Sequence, residues 1–480
     1  MPLLSPPRYQ GPLQPAQREE IPAGERTLTT LERMVKGPLF GCRMCGNCIL
    51  QETAYVCPMT CPKGMRNGLC GGATPEACEV DSSRPCTWYK IYERAEQLGM
   101  EDKLLEINAP LDGSRTGRET WLGVLKSFRQ AERPPRLIDL ARNPERFKKD
   151  WEAVFRPVRQ PVWWNGDADY HPPAYEGPIS ALQAALDAGN DFVITTEITP
   201  PRSATPTSIT RKVEAVRQVV TAINFTDNAA ASPRMSSLAS SLHCLATGVE
   251  PIYQIQTRDR NRAAIQADAI GAASHGIRNI LCLTGDHQRF AGGPYAIPHQ
   301  FDLDSIQLLW LLRRMRDEGV YLDGRSMKTP PKFFLGAAAS PFHVTLAYEA
   351  LRTEKKINAG AQFLETQPVF DVPAFEAWLE ALDKRNLLGK VHILAGLAPL
   401  KTMSIAQHIH HKVPGITIPA PIMRRMEAAG DDPSAQAEVG FEIAAELLCA
   451  LRGIAGIRGV HIMAIGWEAI LPELVRAGCG

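Results

Sequence analysis

The chain of 480 residues lacks several features that would settle its class at once. No apolar run reaches the ~18 residues of a membrane span. The opening MPLLSPPRYQGPLQPAQREE is proline-rich and polar and has no apolar core of a signal peptide. Surplus charge is missing too: 53 basic against 52 acidic residues leave +1, which gives no reason to expect nucleic acid or an anionic membrane as main partner. These absences predict a cytoplasmic protein, and in a reducing compartment its cysteines are expected to serve metal or catalysis rather than disulfides.

What the sequence has is an uneven supply of thiols. Of twelve cysteines, eight fall near the N-terminus: Cys42, Cys45, Cys48, Cys57, Cys61, Cys70, Cys78 and Cys86. The first three form C-x2-C-x2-C, a spacing used to bring three thiolates to one iron–sulfur cluster, and Cys61 is followed by Pro62 as in the remote Cys-Pro of such runs. A zinc site usually pairs two C-x2-C knuckles, and the second half of this set contains none. Eight thiolates suffice for two [4Fe–4S] clusters, with structural zinc as the alternative. Of the remaining cysteines, Cys244, Cys282 and Cys449 sit in apolar runs and are expected to be buried, and Cys479 lies at the C-terminal fray.

The pattern changes near residue 178. A flexible segment (1–30) and an irregular cysteine-rich domain with helices (31–165) lead into a proline-containing connection (166–178), where Trp163 and Trp164 are expected to anchor the chain. Beyond it, DFVITTEITPP, VVTAINFTD, PIYQIQTRD, IRNILCLTGD, KFFLGAAASP, AQFLETQPVFD, KVHILAGLAP and RGVHIMAIGW alternate with amphipathic helices. Ile209, Val213, Val216 and Val220 share one helix face, and DSIQLLWLLRRMRDEG runs from a capping aspartate to Gly319. Apolar strands joined by helices argue for a parallel sheet covered on both faces. Eight such units over 179–480 predict an α/β fold, a (β/α)8 TIM barrel.

In a barrel the chemistry belongs at the C-terminal strand ends. Those ends carry Glu197, Thr226 and Asp227, Gln254 with Arg258 and Asp259, Gly285 and Asp286, Ser340, and Gln367. Glu197 lies inside the apolar TTEITPP, where desolvation is expected to favour the protonated acid. The long HQRFAGGPYAIPHQFDLD after Asp286 reads as a loop over that face or as passive surface, and the QHIHHK run reads as polar surface.

Taken together, TTEITPPR, NFTDN, QIQTRDRN, LTGD and KKINAGAQFLETQPVFD resemble the methylenetetrahydrofolate reductase family over about 180–475. The resemblance implies a flavoprotein barrel that reduces 5,10-methylenetetrahydrofolate to 5-methyltetrahydrofolate, or runs in reverse. It places Glu197 as general acid, Asp286 beside flavin and folate, and Gln367 on the pterin. Thr226, Asp227, Gln254, Arg258, Gly285, Ala338 and Lys356 fall at cofactor-contacting positions. FAD is the family default and FMN the alternative, since Gln254, GAAASP and the IGW ending depart from the NADH-dependent bacterial pattern. The cysteine block resembles the iron–sulfur partner subunit of anaerobic-type reductases, ordinarily a separate polypeptide. That implies a one-electron donor, a ferredoxin-like protein or redox subunit, as partner. The rival readings are a direct NAD(P)H-dependent reductase with a zinc domain, and a non-catalytic folate- or methyl-carrier docking protein. Assembly into a homo-oligomer is compatible with all three.

Overall fold

The computed structural model describes residues 23–161, 163, 164, 171, 173, 175–292, 294, 301–342, 344–413 and 415–478. The chain forms two compact units, one from Met1–Leu69 with Pro85–Asp167, the other from Cys70–Arg84 with Ala168–Gly480. Most of the expected connection at 166–178, much of the loop after Asp286, and Cys479 lie outside the described residues.

The second unit contains the barrel. Its strands are β1 (Val193–Ile198), β2 (Ala222–Phe225), β3 (Pro251–Gln256), β4 (Asn279–Leu283), β5 (Phe334–Ala339), β6 (Phe363–Pro368), β7 (His392–Leu397) and β8 (Gly459–Ile462). All pair in parallel and in chain order, and β8 closes on β1 with Thr195 opposite His461. Each lies within one of the eight apolar segments expected from sequence. Because side chains alternate across a strand, every second residue points to the barrel axis. Val193, Ala222, Ile252, Leu281, Phe334, Phe363 and Leu394 pack together there with Leu182 and Leu186 from the helix Ala181–Ala188. Phe334 and Phe363 stack with ring centroids 5.0 Å apart. Each buried Val, Ile, Leu or Phe of this set contributes about 1.5–3 kcal/mol. This apolar plug fills the N-terminal end of the barrel and leaves polar inward positions for the other end.

The helices follow their sequence signals with small shifts. Asp304 caps Ser305–Asp317 through a full capping box with Gln307. Ile209, Val213 and Val216 are buried on the helix Thr207–Val216, but Val220 lies past its end, where the chain turns into β2. Among the described residues, no helix is long and apolar enough to cross a membrane.

The first unit is a helical body around the loop 41–61. Its first helix is Ala23–Phe40, so the segment expected to be flexible up to residue 30 is helical from Ala23. The buried guanidinium of Arg159 meets buried Glu52 at 2.6 Å. Trp164 is buried and its indole N–H donates to the Ile107 carbonyl at 3.0 Å, anchoring the start of the connection. Cys244 and Cys282 are buried as expected, whereas Cys449 is exposed on the helix Pro433–Arg452. The apolar run that suggested burial there supplies the helix's inner face through Ile443, Leu447, Leu448 and Leu451, and Cys449 falls between those positions.

Residues 70–84 group with the barrel, not with the cysteine-bearing residues on either side. Arg289, on the loop after β4, donates to the Val80 carbonyl. The Cβ position at Gly71 lies 3.9 Å from Ser340 Oγ, just past β5. The segment that carries Cys70 and Cys78 therefore rests on loops at the C-terminal face of the barrel.

Candidate active site

Glu197 on β1 alternates in step with the plug residue Val193, so it points to the axis, and Gln367 lies near the C-terminal end of β6. In parallel strands their C-terminal positions put them at the same open end. Gln367 sits at an irregularity: the β6–β7 register shifts between Glu365 and Pro368. A bulge of this kind re-aims a side chain. The Thr366 hydroxyl donates to the Gln367 carbonyl at 2.9 Å and accepts from the Gly396 N–H at 2.8 Å. Gly396 makes the close approach possible, since a Cβ there would stand 2.3 Å from the Thr366 carbonyl oxygen and 2.7 Å from the Gln367 carbonyl.

One step deeper lies a polar group that strand-end reading missed. His461 on β8 places Nε2 3.9 Å from a Glu197 carboxylate oxygen and Nδ1 3.6 Å from Glu365 Oε1. Its Nδ1 is also 3.0 Å from the Thr195 hydroxyl. The Asn224 amide donates to the other Glu365 oxygen at 2.8 Å. Burial pushes the Glu365 carboxyl above its usual range, against the pull of His461 and Asn224. Burial opposes the charged form of His461, but the charges of Glu365 and Glu197 outweigh it and raise its pKa above 6.5.

The remaining candidates separate into those open to a ligand and those engaged with the protein. Asp227 is fully buried, pairs with Arg260 at 2.5 Å and accepts from the Gln256 N–H. The Gln254 side-chain oxygen accepts from the Asp227 N–H at 3.1 Å. Arg258 is buried, closes its fork on Asp259 at 2.6 and 2.8 Å, and donates to the carbonyls of Asn228 and Asp286. It fastens the loops after β2, β3 and β4 to one another. Asp286 accepts from the Ala230 N–H at 3.0 Å. That contact holds a loop in which Asn228, Ala230 and Ala231 all take positive φ, a costly conformation for residues with a Cβ. Gly285, at φ 89°, makes the turn before Asp286, where a Cβ would meet the Gln256 side chain. Lys356 lies half-buried on the helix Leu346–Ala359 and donates to the Ala338 carbonyl at 2.5 Å. Burial lowers its pKa to about 7, helped by the neighbouring Arg352.

Among the described residues, buried polar atoms without a hydrogen-bond partner at inward positions include Asn224 Oδ1, Thr226 Oγ1, Gln256 Oε1 and Glu365 Oε1. Unpaired buried polar atoms are costly, so a ring of them marks a place for a polar ligand. Such a lining fits a heteroaromatic group with donors and acceptors on its edge, as a flavin or pterin has. On the rim, Arg202 and Arg234 face a depression of about 490 Å3 with Ser203, Ser232, Pro233 and Met235, a positive lining that strand ends alone did not suggest.

In the first unit, Cys42, Cys45, Cys48 and Cys57 line one cavity together with Met44, Met59, Lys36 and Arg66. Cys57, followed by Pro58, is the fourth cysteine on that cavity. Its N–H donates to the Phe40 carbonyl at 3.1 Å, which brings it back to the end of the first helix. The Cys42 thiol is raised by its hydrogen bond to Cys57 and by burial, and burial raises Cys48 to about 11. Lys36 Nζ stands 3.8 Å from Cys48 Sγ and pairs with buried Glu32 at 2.5 Å. Among the described residues, no three His, Cys, Asp or Glu side chains converge closely enough to hold a metal ion. Four thiols spread round a shared cavity beside two cations fit a polynuclear, anionic group better than one ion with ligands about 2.3 Å away. Cys61 and Cys86 belong to the same unit, whereas Cys70 and Cys78 belong to the barrel unit, where Cys70 Sγ lies 2.7 Å from Glu79 Oε2.

The family model described as methylenetetrahydrofolate reductase matches residues 181–477, the barrel and its site. The chain belongs to the methylenetetrahydrofolate reductase family. A second model, described as methylene-tetrahydrofolate reductase C terminal, matches residues 21–114, so in this reductase-family chain that domain comes first. A Caenorhabditis elegans protein described as a probable methylenetetrahydrofolate reductase (NADPH) is 26% identical over 249 residues. The match covers 50% of this chain and 34% of the worm protein, so the chain spans well under two thirds of that relative. A Clostridium thermocellum protein, described as binding two copies of 5-methyl-5,6,7,8-tetrahydrofolic acid, superposes with a TM-score of 0.43 at 16% identity. That superposition covers 62% of this chain and 98% of the other. A phosphonopyruvate hydrolase gives 0.31 at 13% identity, covering 62% of this chain and 83% of its own.

Proposed function

We propose that the protein reduces 5,10-methylenetetrahydrofolate to 5-methyltetrahydrofolate, or catalyses the reverse, on a flavin at the barrel mouth. Electrons enter through iron–sulfur clusters on the N-terminal cysteines, with Cys42, Cys45, Cys48 and Cys57 as one ligand set. The observation that carries the reading is the convergence of Glu197 and Gln367 on one open end of the barrel, in a chain of this family.

The five-membered ring of the substrate must open before its methylene carbon can be reduced, and opening needs a proton on N10. Glu197 delivers that proton as general acid. Gln367, fixed by the β6 bulge, holds the pterin edge with its amide so that the methylene carbon is presented in one pose. Asp286 places negative charge near the cation formed on ring opening. Thr226 and Gln256 offer their unpartnered oxygens to the cofactor or pterin, and Arg202 and Arg234 suit an anionic tail or phosphate at the rim. A flavin, when bound, supplies a hydride after taking up electrons one at a time, and iron–sulfur clusters supply those single electrons. The position of residues 70–84 on the loops after β4 and β5 supports this route, because it sets Cys70 and Cys78 on the face where the reaction is placed.

Protein prepared without oxygen and analysed for iron, sulfide, zinc and flavin tests the assignment. Iron with matching sulfide plus flavin is expected; zinc in place of iron would overturn the electron route. The reduced, bleached protein should regain its yellow colour on adding methylenetetrahydrofolate, and Glu197→Gln should slow that recovery about 10²–10⁴-fold. A Glu197→Gln protein that recovers at the normal rate removes the general acid from the scheme.

A further inference from the structure

The inward residues beneath Glu197 form a connected set that the reaction as described does not use. His461 is 2% exposed and Glu365 4% exposed, so neither exchanges protons freely with water. Glu197 lies between them and the open end, with 15% of its side chain exposed. The neighbours of His461 account for both ring nitrogens. Nε2 faces Glu197 at 3.9 Å, and Nδ1 faces the Thr195 hydroxyl at 3.0 Å and Glu365 at 3.6 Å. The Val460 carbonyl lies 3.5 Å from the Thr195 hydroxyl, so when Nδ1 carries a hydrogen the hydroxyl can turn its own toward that carbonyl and accept from Nδ1–H. On β7 the residue in register with His461 is Gly396, which brings no side chain. The ionisable groups acting on His461 are Glu365 from β6 and Glu197 from β1.

We propose that His461 is the proton store of this site: it holds the proton that Glu197 passes to the substrate nitrogen, and Glu365 holds His461 in its charged form.

This rests on the reading of Glu197 as general acid and adds to it the origin of the proton. A free carboxyl titrates near pH 4.3 and a free imidazole near 6.5. At neutral pH the proton therefore resides more cheaply on the imidazole, provided something offsets the cost of a buried cation. Glu365 does so: its Oε1 has no hydrogen-bond partner and faces the ring. The raised pKa of His461 agrees with that geometry.

The steps balance. The Nε2 proton of His461 moves to the Glu197 carboxylate, and the ring becomes neutral with Nδ1–H retained toward Thr195 and Glu365. Glu197 gives that proton to N10, the C–N bond to the methylene carbon breaks with its electron pair left on N10, and Glu197 is carboxylate again. After product leaves, one proton from water returns through Glu197 to Nε2. His461 never touches the reacting atoms; it acts through Glu197 as a positioning and proton-holding residue.

Two measurements on the full-length anaerobic protein test this. The first is NMR of histidines labelled with 13C, His461 being identified by the signal lost in His461→Gln. Its titration midpoint should lie above 6.5 in the parent and fall by about one pH unit or more in Glu365→Gln. A midpoint at or below 6.5, or one that Glu365→Gln leaves in place, overturns the proposal without any turnover assay. The second is the pH dependence of chromophore recovery with methylenetetrahydrofolate. An acid must be protonated to act, so the parent rate should fall only above the His461 midpoint. In His461→Gln the proton rests on a carboxyl alone, and the fall should begin lower: about tenfold or more lost near pH 7.5, and about threefold or less near pH 5.5. A His461→Gln protein that follows the parent profile at every pH sinks the proton store but spares Glu197. Unimpaired turnover in Glu197→Gln sinks the underlying reading instead.

Discussion

Gly396→Ala is the sharpest probe of how the barrel aims Gln367. The added methyl would stand 2.3 Å from the Thr366 carbonyl oxygen and 2.7 Å from the carbonyl carbon and oxygen of Gln367. Ordinary contact begins about 1 Å farther out, so either β7 or the β6 bulge must move by roughly that distance. The strand contacts Thr366 through the hydrogen bond from Gly396 N–H, and Gln367 lies at the next residue. The clash therefore acts on the element that fixes the amide. Overpacking of this kind costs about 1–3 kcal/mol of stability, and a 1 Å error in a positioned group costs about 10²-fold in rate. Gly336→Ala is the matched control. Its methyl would meet the Phe363 ring at 2.2 Å, a clash as severe but set in the apolar plug two positions before Glu365. Both variants should melt at lower temperature than the parent. Single-turnover reoxidation of the reduced protein by methylenetetrahydrofolate should fall about 10²-fold in Gly396→Ala and far less in Gly336→Ala. If the two lose rate equally, or if Gly396→Ala turns over within about threefold of the parent, the bulge does not aim Gln367 and that part of the reading is wrong.

Three further outcomes follow from other parts of the molecule. Cys57→Ser should lower the iron and sulfide content of anaerobic protein by about half, while Cys449→Ser leaves both unchanged; equal content in the two would detach Cys57 from the ligand set. Asp227→Asn breaks a buried pair with Arg260 and should destabilise the barrel by about 3–5 kcal/mol, read as a lower melting temperature; a parent-like melt would mean the pair is dispensable. His461 binds its proton more tightly folded than unfolded, so its stabilising contribution is complete below pH 6.5 and fades as pH rises through the higher folded value. Melting temperature should accordingly decline over that window in the parent and decline less in His461→Gln, and identical slopes would contradict the raised pKa.

The barrel could be read from sequence because its signals are local. Apolar segments such as NILCL and HILAGL, each followed by an amphipathic helix, specify strand and crossover without knowledge of neighbours, and Asp304 with Gln307 specifies a helix start on its own. Glu197 and Gln367 were visible because they interrupt apolar strands near their ends. Glu365 and His461 were equally visible as letters but sit in mid-strand, where a polar residue is readily taken for an outward one. A step of two from the apolar Phe363 reaches Glu365, and that alternation was the available signal. The partners of Arg258 and Asp227 depend on three loops meeting in space, which no spacing encodes. The same holds for Cys57 and Cys61: both precede proline, and only the return of the loop to Phe40 brings Cys57 to the cavity lined by Cys42, Cys45 and Cys48.

The assignment of residues 70–84 to the barrel has a practical consequence. No single scission between residues 165 and 179 would yield two intact bodies, because the downstream fragment would lack a strip that covers Ser340 and receives Arg289. A recombinant product begun at residue 179 should be judged as a wounded protein rather than a minimal enzyme.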